Sequence, residues 1–385
     1  MSQNNLSQYW AYRNNIKRQL LMVGLWPIDN PSRFYHSLPY IFLMLTLSIT
    51  LAIFGFVKAH FSNVALVTKG LSIMVSHLAA TLKMTCVIIN RDEAIQLHNC
   101  LDPHFSELLS NSMSKLVLKG GTMLQFLSWT LTFAVGAWAL NCVAIPVMFI
   151  INQHSHHVKP VQYTLVYPTG YPWDITAPGF LYKVHFIYES AATVALFCIT
   201  VGVDSLFTMY GWQMVAQFRE MSHRITHISE KDDEKDVLRE CVLQHQKIIK
   251  CRDILQKIYG PIVLWIITTN AVILCTLIFQ VTRAKSVGRF IYFSTYIILK
   301  LVQTYMYALT GTRLTIASSN YLEAVYASNW FGNKSFMTSV LIILTQKPLI
   351  LNACNFSYVT LDLFIMVLNT TMSYFFLLRT LEDDA

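Results

Sequence analysis

Charge is scarce in this sequence. Asp, Glu, Lys and Arg make up 13% of its 385 residues, against 54% hydrophobic, and a soluble globular surface needs about twice that share of charge. A water-exposed globule is therefore excluded. Paired cysteines are missing as well. The eight cysteines stand singly, none in CxxC spacing, and residues 154–179 contain none, which argues against a disulfide framework and against a zinc site. There is no HExxH run, no glycine-rich phosphate loop and no recognisable Ser/His/Asp order, so no enzyme class is indicated and neither cofactor nor metal is expected. Internal repeats and paired interrupted helices, the marks of many secondary transporters, are also absent.

Long uncharged runs are abundant instead. Residues 38–57, LPYIFLMLTLSITLAIFGFV, are long enough to cross a hydrocarbon core of ~30 Å. The run is too long and too late for a signal peptide, so it is expected to direct insertion itself. Six further runs read as spans: residues 64–90, 123–151, 180–215, 259–281, 290–314 and 356–381. The expectation is an all-α membrane protein of one domain, residues 1–385, with seven transmembrane helices after a cytosolic segment 1–37. The net charge of +8 is spread singly through loops without a nucleic-acid motif. Membrane lipids with anionic headgroups are the expected partner, and no nucleic acid.

Basic residues orient the spans. Arg13, Lys17, Arg18, Arg33, Arg91, Lys115, Lys119, the basic run from Arg219 to Lys257, Arg313, Lys334 and Lys347 fall on one side; Lys58, Lys159, Arg283, Lys285, Arg289 and Arg379 fall on the other. The richer side is cytosolic by the positive-inside rule. That places the amino terminus inside and, with an odd number of spans, the carboxyl terminus outside. This is the reverse of a metabotropic seven-helix receptor coupled to G proteins, whose Asp-Arg-Tyr and Asn-Pro-x-x-Tyr runs are also absent.

The fourth run continues without a breaker into MYGWQMVAQFREMSHRITHI, too long for a bilayer at ~1.5 Å per residue. After SEKDDEKD, residues 229–236, a helix resumes with Leu238, Cys241, His245, Ile248 and Leu255 on one face. Segments 216–258 and 315–348 are thus expected to form a cytosolic helical anchor layer. Independent helices lying on lipid are the competing arrangement.

In the last span Met366, Thr370, Ser373, Leu377 and Thr380 share one stripe. Hydroxyls broken by one leucine suit a pore with an apolar gate, but hydroxyls also bond the backbone one turn back or pack between helices. Glu382, Asp383 and Asp384 follow, either as a cation-attracting outer ring or as a solvated end. Among ionisable groups inside spans, Glu189 and Lys300 are candidates to pair, Asp204 lies deeper, and Lys300 alternatively snorkels.

LLMVGLWP at residues 20–27, YLEAVYASNWF at 321–331, TQKPLILNA at 345–353 and LDLFIMVLNTTMSYFFLLRTL at 361–381 together resemble the signatures of insect odorant receptors. The resemblance implies a tuning odorant receptor subunit in the plasma membrane of olfactory sensory neurons, multi-pass, gating a non-selective cation channel in a heterotetramer with the odorant co-receptor. The co-receptor itself has a much longer loop where this chain has SEKDDEKD. A gustatory receptor channel of the same superfamily is the nearest alternative. The resemblance further puts the hydrophobic pore constriction at Leu377 and a polar residue just outside it at Thr380. It places small volatile odorants in the outer half of the membrane among the second, third, fourth and sixth spans. Those spans offer Ile73, Ser76 and His77; Phe133, Gly136, Ala137 and Leu140; Phe186, Tyr188 and Ser190; and Tyr292, Tyr296 and Ile297. His77 is suited to donate to an ester or ketone oxygen. Glycosylation triplets at Asn5 and Asn333 fall on the cytosolic side of this topology, where no glycan is expected.

Overall fold

The computed structural model describes residues 2–110, 113–157, 160–175, 179–227, 234–282, 287–328 and 334–383. The turn residues 229–233, Asn333 and Asp384 of the sequence expectations lie outside them, as do the side chains of Glu382 and Asp383. The described chain is almost wholly helical: α1 Ser2–Met22, α2 Arg33–Ala59, α3 Val64–Ile89, α4 Arg91–Ser110, α5 Ser114–Leu118, α6 Gly121–Ser155, α7 Phe180–Thr226, α8 Glu234–Thr282, α9 Val287–Ala327, α10 Lys334–Leu344 and α11 Leu361–Asp383. Among the described residues, α2, α3, α6, α7 and α8 are long and apolar enough to cross a membrane, and α11 contributes the shorter apolar stretch Leu361–Leu377. α9 occupies the place of the sixth expected span but carries Arg289, Lys300 and Arg313.

Helix starts follow local chemistry. Ser32 caps α2 by accepting from the Tyr35 amide, and Asn63 caps α3 through the Leu66 amide, satisfying donors that a helix cannot pair internally. Gly120, at φ 73°, turns the chain from α5 into α6. Only a residue without a Cβ takes that conformation cheaply.

α7 is the central post. It is buried almost without interruption from Val201 to Phe218, packed by α9, α6, α1 and α8. Gly211 permits a close approach, since a Cβ there would stand 2.2 Å from Thr310 of α9. The polar interior is paired. Lys83 of α3 meets Asp204 of α7 at 2.6 Å, and the carboxylate also accepts from Gln303 at 2.6 Å and Tyr307 at 2.7 Å, both on α9. In a medium without water, a charge needs this degree of satisfaction.

α7 and α8 extend well past the span lengths read from the sequence and converge with α9 and α10. Two helices of this layer were not resolved in the sequence. α1 buries Tyr9, Tyr12, Ile16 and Leu20 at helical spacing on α7, and α4 runs antiparallel to α8. Arg13 of α1 forks onto Asp102 of α4, with Nε 3.0 Å and one terminal nitrogen 2.5 Å from the carboxylate. Burial pushes the Asp102 carboxyl up, but the Arg13 and His98 interactions together outweigh it and hold the acid below its usual range.

The seventh span begins later than position 356. Asn352–Ala353 and Ser357–Tyr358 form a two-stranded hairpin, with Cys354 and Asn355 at φ 51° and 62°, and α11 starts only at Leu361, whose amide donates to Thr312 Oγ1 at 2.9 Å. Apolar Phe356 and Val359 made the hairpin's return strand read as helix; the left-handed pair before it fixes a turn there.

Candidate functional site

Four elements meet at the end of the bundle away from α1 and α4. Ile73, Ser76 and His77 occupy successive positions on one side of α3, with Ile73 and His77 buried. The Tyr296 hydroxyl of α9 is hydrogen-bonded to that of Ser76 and donates to the Ser72 carbonyl at 3.3 Å. Trp138 of α6 stacks on the Tyr296 ring at 5.9 Å and donates its indole N–H to the Tyr292 hydroxyl at 3.2 Å. An aromatic wall with a few hydroxyls results, the composition of a site for a small apolar ligand.

The fourth side comes from the loop between α6 and α7. Tyr167 sets its ring edge-on to His77 at 5.0 Å, and its hydroxyl lies 2.7 Å from Thr193 Oγ1. Glu189 fastens this loop, accepting from the Tyr167 amide at 2.9 Å, Thr169 at 2.8 Å and Tyr171 at 3.0 Å. Gly170 reaches α2 through its amide to the Ala52 carbonyl at 2.9 Å. Under this cover His77 is 0% exposed, and neither ring nitrogen has a partner. An unpaired buried imidazole costs about 1–3 kcal/mol.

The sequence candidates divide. Ile73, Ser76, His77, Tyr292 and Tyr296 come together, with half-buried Ile297 on the same helix as the two tyrosines. Gly136 and Ala137 are half-buried on α6, and a Cβ at Gly136 would touch only the Phe197 ring, at 3.5 Å. Phe133 and Leu140 are 81% and 72% exposed. The inward stripe of α6 runs through Leu131, Val135, Trp138 and Cys142, which turns those two away. On α7, Glu189 and Thr193 face the loop; Tyr188 instead bonds Ser48 of α2, and Ser190 donates to the Phe186 carbonyl at 2.7 Å. Phe186 stands half-buried beside Tyr182. The expected Glu189–Lys300 pair does not form, because Glu189 is engaged by the loop and Lys300 lies 5.7 Å over the Tyr296 ring. Trp138 and Tyr167 were missed. Trp138 shares the period of α6's buried stripe and so was legible in principle, whereas Tyr167 sits in a loop with no periodic signal.

α11 has two faces. Leu363, Val367 and Thr371 are buried against α8 and α9, and the Thr371 hydroxyl reaches toward the Ala271 carbonyl. Met366, Ser373, Leu377 and Thr380 are exposed, and Thr370 is half-exposed. Each hydroxyl donates to its own backbone, Thr370 to Met366 at 2.8 Å, Ser373 to Asn369 at 2.9 Å and Thr380 to Leu377 at 2.9 Å. That leaves oxygen lone pairs, not hydrogens, directed off the stripe.

The family model described as 7tm Odorant receptor matches residues 63–372. Odorant receptor 13a of Drosophila melanogaster is 24% identical over 249 residues, 59% of this chain and 59% of the relative. The odorant receptor coreceptor of Anopheles gambiae is 30% identical over 147 residues, 37% of this chain and 30% of the relative. The chain thus matches about three fifths of the length of its Drosophila relative. The solved insect olfactory receptor OR5 from Machilis hrabei aligns with 96% of this chain and 98% of its own at a TM-score of 0.78 and 18% identity, and its complex with eugenol at 0.76 and 17%.

Proposed function

Since the chain belongs to the 7tm odorant receptor family, we propose that it is a tuning subunit that binds small oxygenated volatiles beside His77, where α3, α6, α9 and the Tyr167 loop meet, and gates a cation pathway lined by α11. In this reading the amino terminus is cytosolic and the carboxyl terminus external, supported by the distribution of basic residues. The chain works as a non-enzymatic, multi-pass subunit in the plasma membrane of olfactory sensory neurons, in a heterotetramer with the odorant co-receptor and surrounded by lipid.

The observation that carries the ligand reading is His77, buried with both ring nitrogens unpaired. A ketone, ester or alcohol entering beside it satisfies one nitrogen while its hydrocarbon part packs on Trp138 and Tyr296. Tyr167 covers that place, so entry displaces the tyrosine, and loosening the Glu189 fastening lets the loop follow.

The pore reading rests on the exposed stripe of α11. Four copies of that face around an axis would set hydroxyl oxygens toward water and a ring of Leu377 toward its counterparts, where an apolar constriction dewets and blocks ions. The test is whole-cell current from cells expressing this chain with and without an odorant co-receptor, under a broad volatile panel, repeated with Leu377→Ala. The expected result is an odorant-evoked cation current that requires the co-receptor, with raised basal leak in the variant. A second-messenger response without current would overturn the channel reading.

A further inference from the structure

The cytosolic layer holds a pair of thiols that the odorant reading leaves unused. α4 and α8 pack antiparallel, and two contacts fix their register. Lys257 Nζ lies 2.5 Å from Glu93 Oε1 at one end, and Gln244 Nε2 lies 3.1 Å from His104 Nε2 at the other. Between them Cys100 of α4 and Cys251 of α8 come to the same stretch of the helix pair. Both line a cleft of about 510 Å³ that also receives His104, Arg224, Lys247 and Lys250. Cys251 is 2% exposed and Cys100 is half-buried, so the α4 thiol is the one that solvent reaches first.

We propose that Cys100 and Cys251 form a peroxide-reactive modification site, Cys100 as the attacking thiol and Cys251 as the resolving one, closing a disulfide between α4 and α8. The proposal rests on helix register and cleft access, and stands independently of the channel reading. The electrostatics agree. The interaction with the Cys251 thiol and the nearby Lys247 charge together outweigh burial and hold the Cys100 thiol below its usual range, while burial, reinforced by Glu220 and Glu240 against the opposing charge of Arg224, pushes the Cys241 thiol up to about 11. Thiolate character in a partly exposed, electropositive cleft is what separates reactive from inert cysteines.

The chemistry needs only hydrogen peroxide. The Cys100 thiolate attacks one peroxide oxygen; the S–O bond forms, the O–O bond breaks, and the departing hydroxide takes a proton to leave as water. Sulfur is oxidised to the sulfenic acid as peroxide is reduced. Cys251 then attacks that sulfur, forming the S–S bond and expelling the hydroxyl, which leaves as a second water with the proton from the Cys251 thiol. Two thiols and one peroxide thus give one disulfide and two waters. Glutathione and thioredoxin of the cytosol supply the return path.

The site is tested on the full chain in native-like membranes, treated with hydrogen peroxide, denatured, labelled with a maleimide and mapped by mass spectrometry. The expected result is loss of label at Cys100 and Cys251 together, appearance of a linked peptide pair lighter by two hydrogens, and recovery of both thiols with dithiothreitol. Cys251→Ser is expected to leave a sulfenic acid on Cys100 that dimedone traps; Cys100→Ser is expected to abolish both linkage and adduct. The unsubstituted chain alone decides the matter. Cys100 still fully maleimide-reactive after peroxide, or oxidised without linkage to Cys251, overturns the proposal.

Discussion

Two residues concentrate the argument at the smallest scale. His77 is a buried imidazole without a partner, so replacing it removes a hydrogen bond that only a polar ligand makes. His77→Phe is expected to raise the effective concentration of ketones and esters about tenfold, the equivalent of about 1.4 kcal/mol, and to leave pure hydrocarbons nearly unchanged. Dose–response currents across a matched series check this; equal losses for both classes would assign His77 to packing. Asp204 is the other. Its carboxylate holds Lys83, Gln303 and Tyr307 at once, so Asp204→Asn strands Lys83 at a cost of about 3–5 kcal/mol. Surface expression is expected to fall sharply, and Lys83→Met combined with Asp204→Leu to recover much of it. Recovery by the double variant at the cell surface is the reading that matters, since an ion pair retained for conduction would stay silent there. The sequence marked Asp204 as an ionisable group inside a span and His77 as a pocket candidate, but the partners of Asp204 come from helices distant in the chain and were not legible.

Among the helices, legibility followed period and composition. The apolar runs of α2, α6 and the outer half of α7 announced themselves. α1 did not, because polar residues dilute the stripe of Tyr9, Tyr12, Ile16 and Leu20 that it buries. The hairpin before α11 was lost for the opposite reason: its residues are apolar enough to pass for span. That hairpin leans on α9 at Gly311, where a Cβ would stand 1.9 Å from the Val359 carbonyl oxygen. Backbone cannot yield as a side-chain tip can. Gly311→Ala is therefore expected to push the hairpin off α9 and destabilise the α9–α11 junction by roughly 1–3 kcal/mol, seen as a lower melting temperature of the purified chain. Unchanged melting would mean the contact relaxes freely. The exposed stripe of α11 was legible from spacing alone, but the backbone bonds of its hydroxyls satisfy the competing reading as well, so the stripe by itself does not distinguish pore from packing. What favours the pore is that Leu377 remains exposed while Val367 and Thr371 are buried.

For the whole molecule, the helical layer built from α1, α4 and the adjoining halves of α7 and α8 sets the response to acid. His98 of α4 and His245 of α8 both lie in the lower layer. Burial lowers the basicity of each; at His98 the neighbouring Asp102 opposes this without cancelling it. A histidine whose folded value is depressed stays neutral where the unfolded chain, near pH 6.5, already takes up a proton. Its stabilising contribution is therefore complete above about pH 6.5 and declines as pH falls toward the folded value, by up to about 1.4 kcal/mol per pH unit for each group. Asp102, held below its usual range beside Arg13, adds a loss of the same sign only near and below about pH 4. Melting of the detergent-solubilised chain is thus expected to be level from about pH 8 to 7 and to fall steadily between about pH 6.5 and 5, with a shallower fall in His245→Phe. A flat profile through that window would mean that the lower layer admits enough water to protonate these rings in the folded state, and that α1, α4 and the inner halves of α7 and α8 pack less tightly around them than the burial of Phe218, Tyr321 and Leu255 indicates.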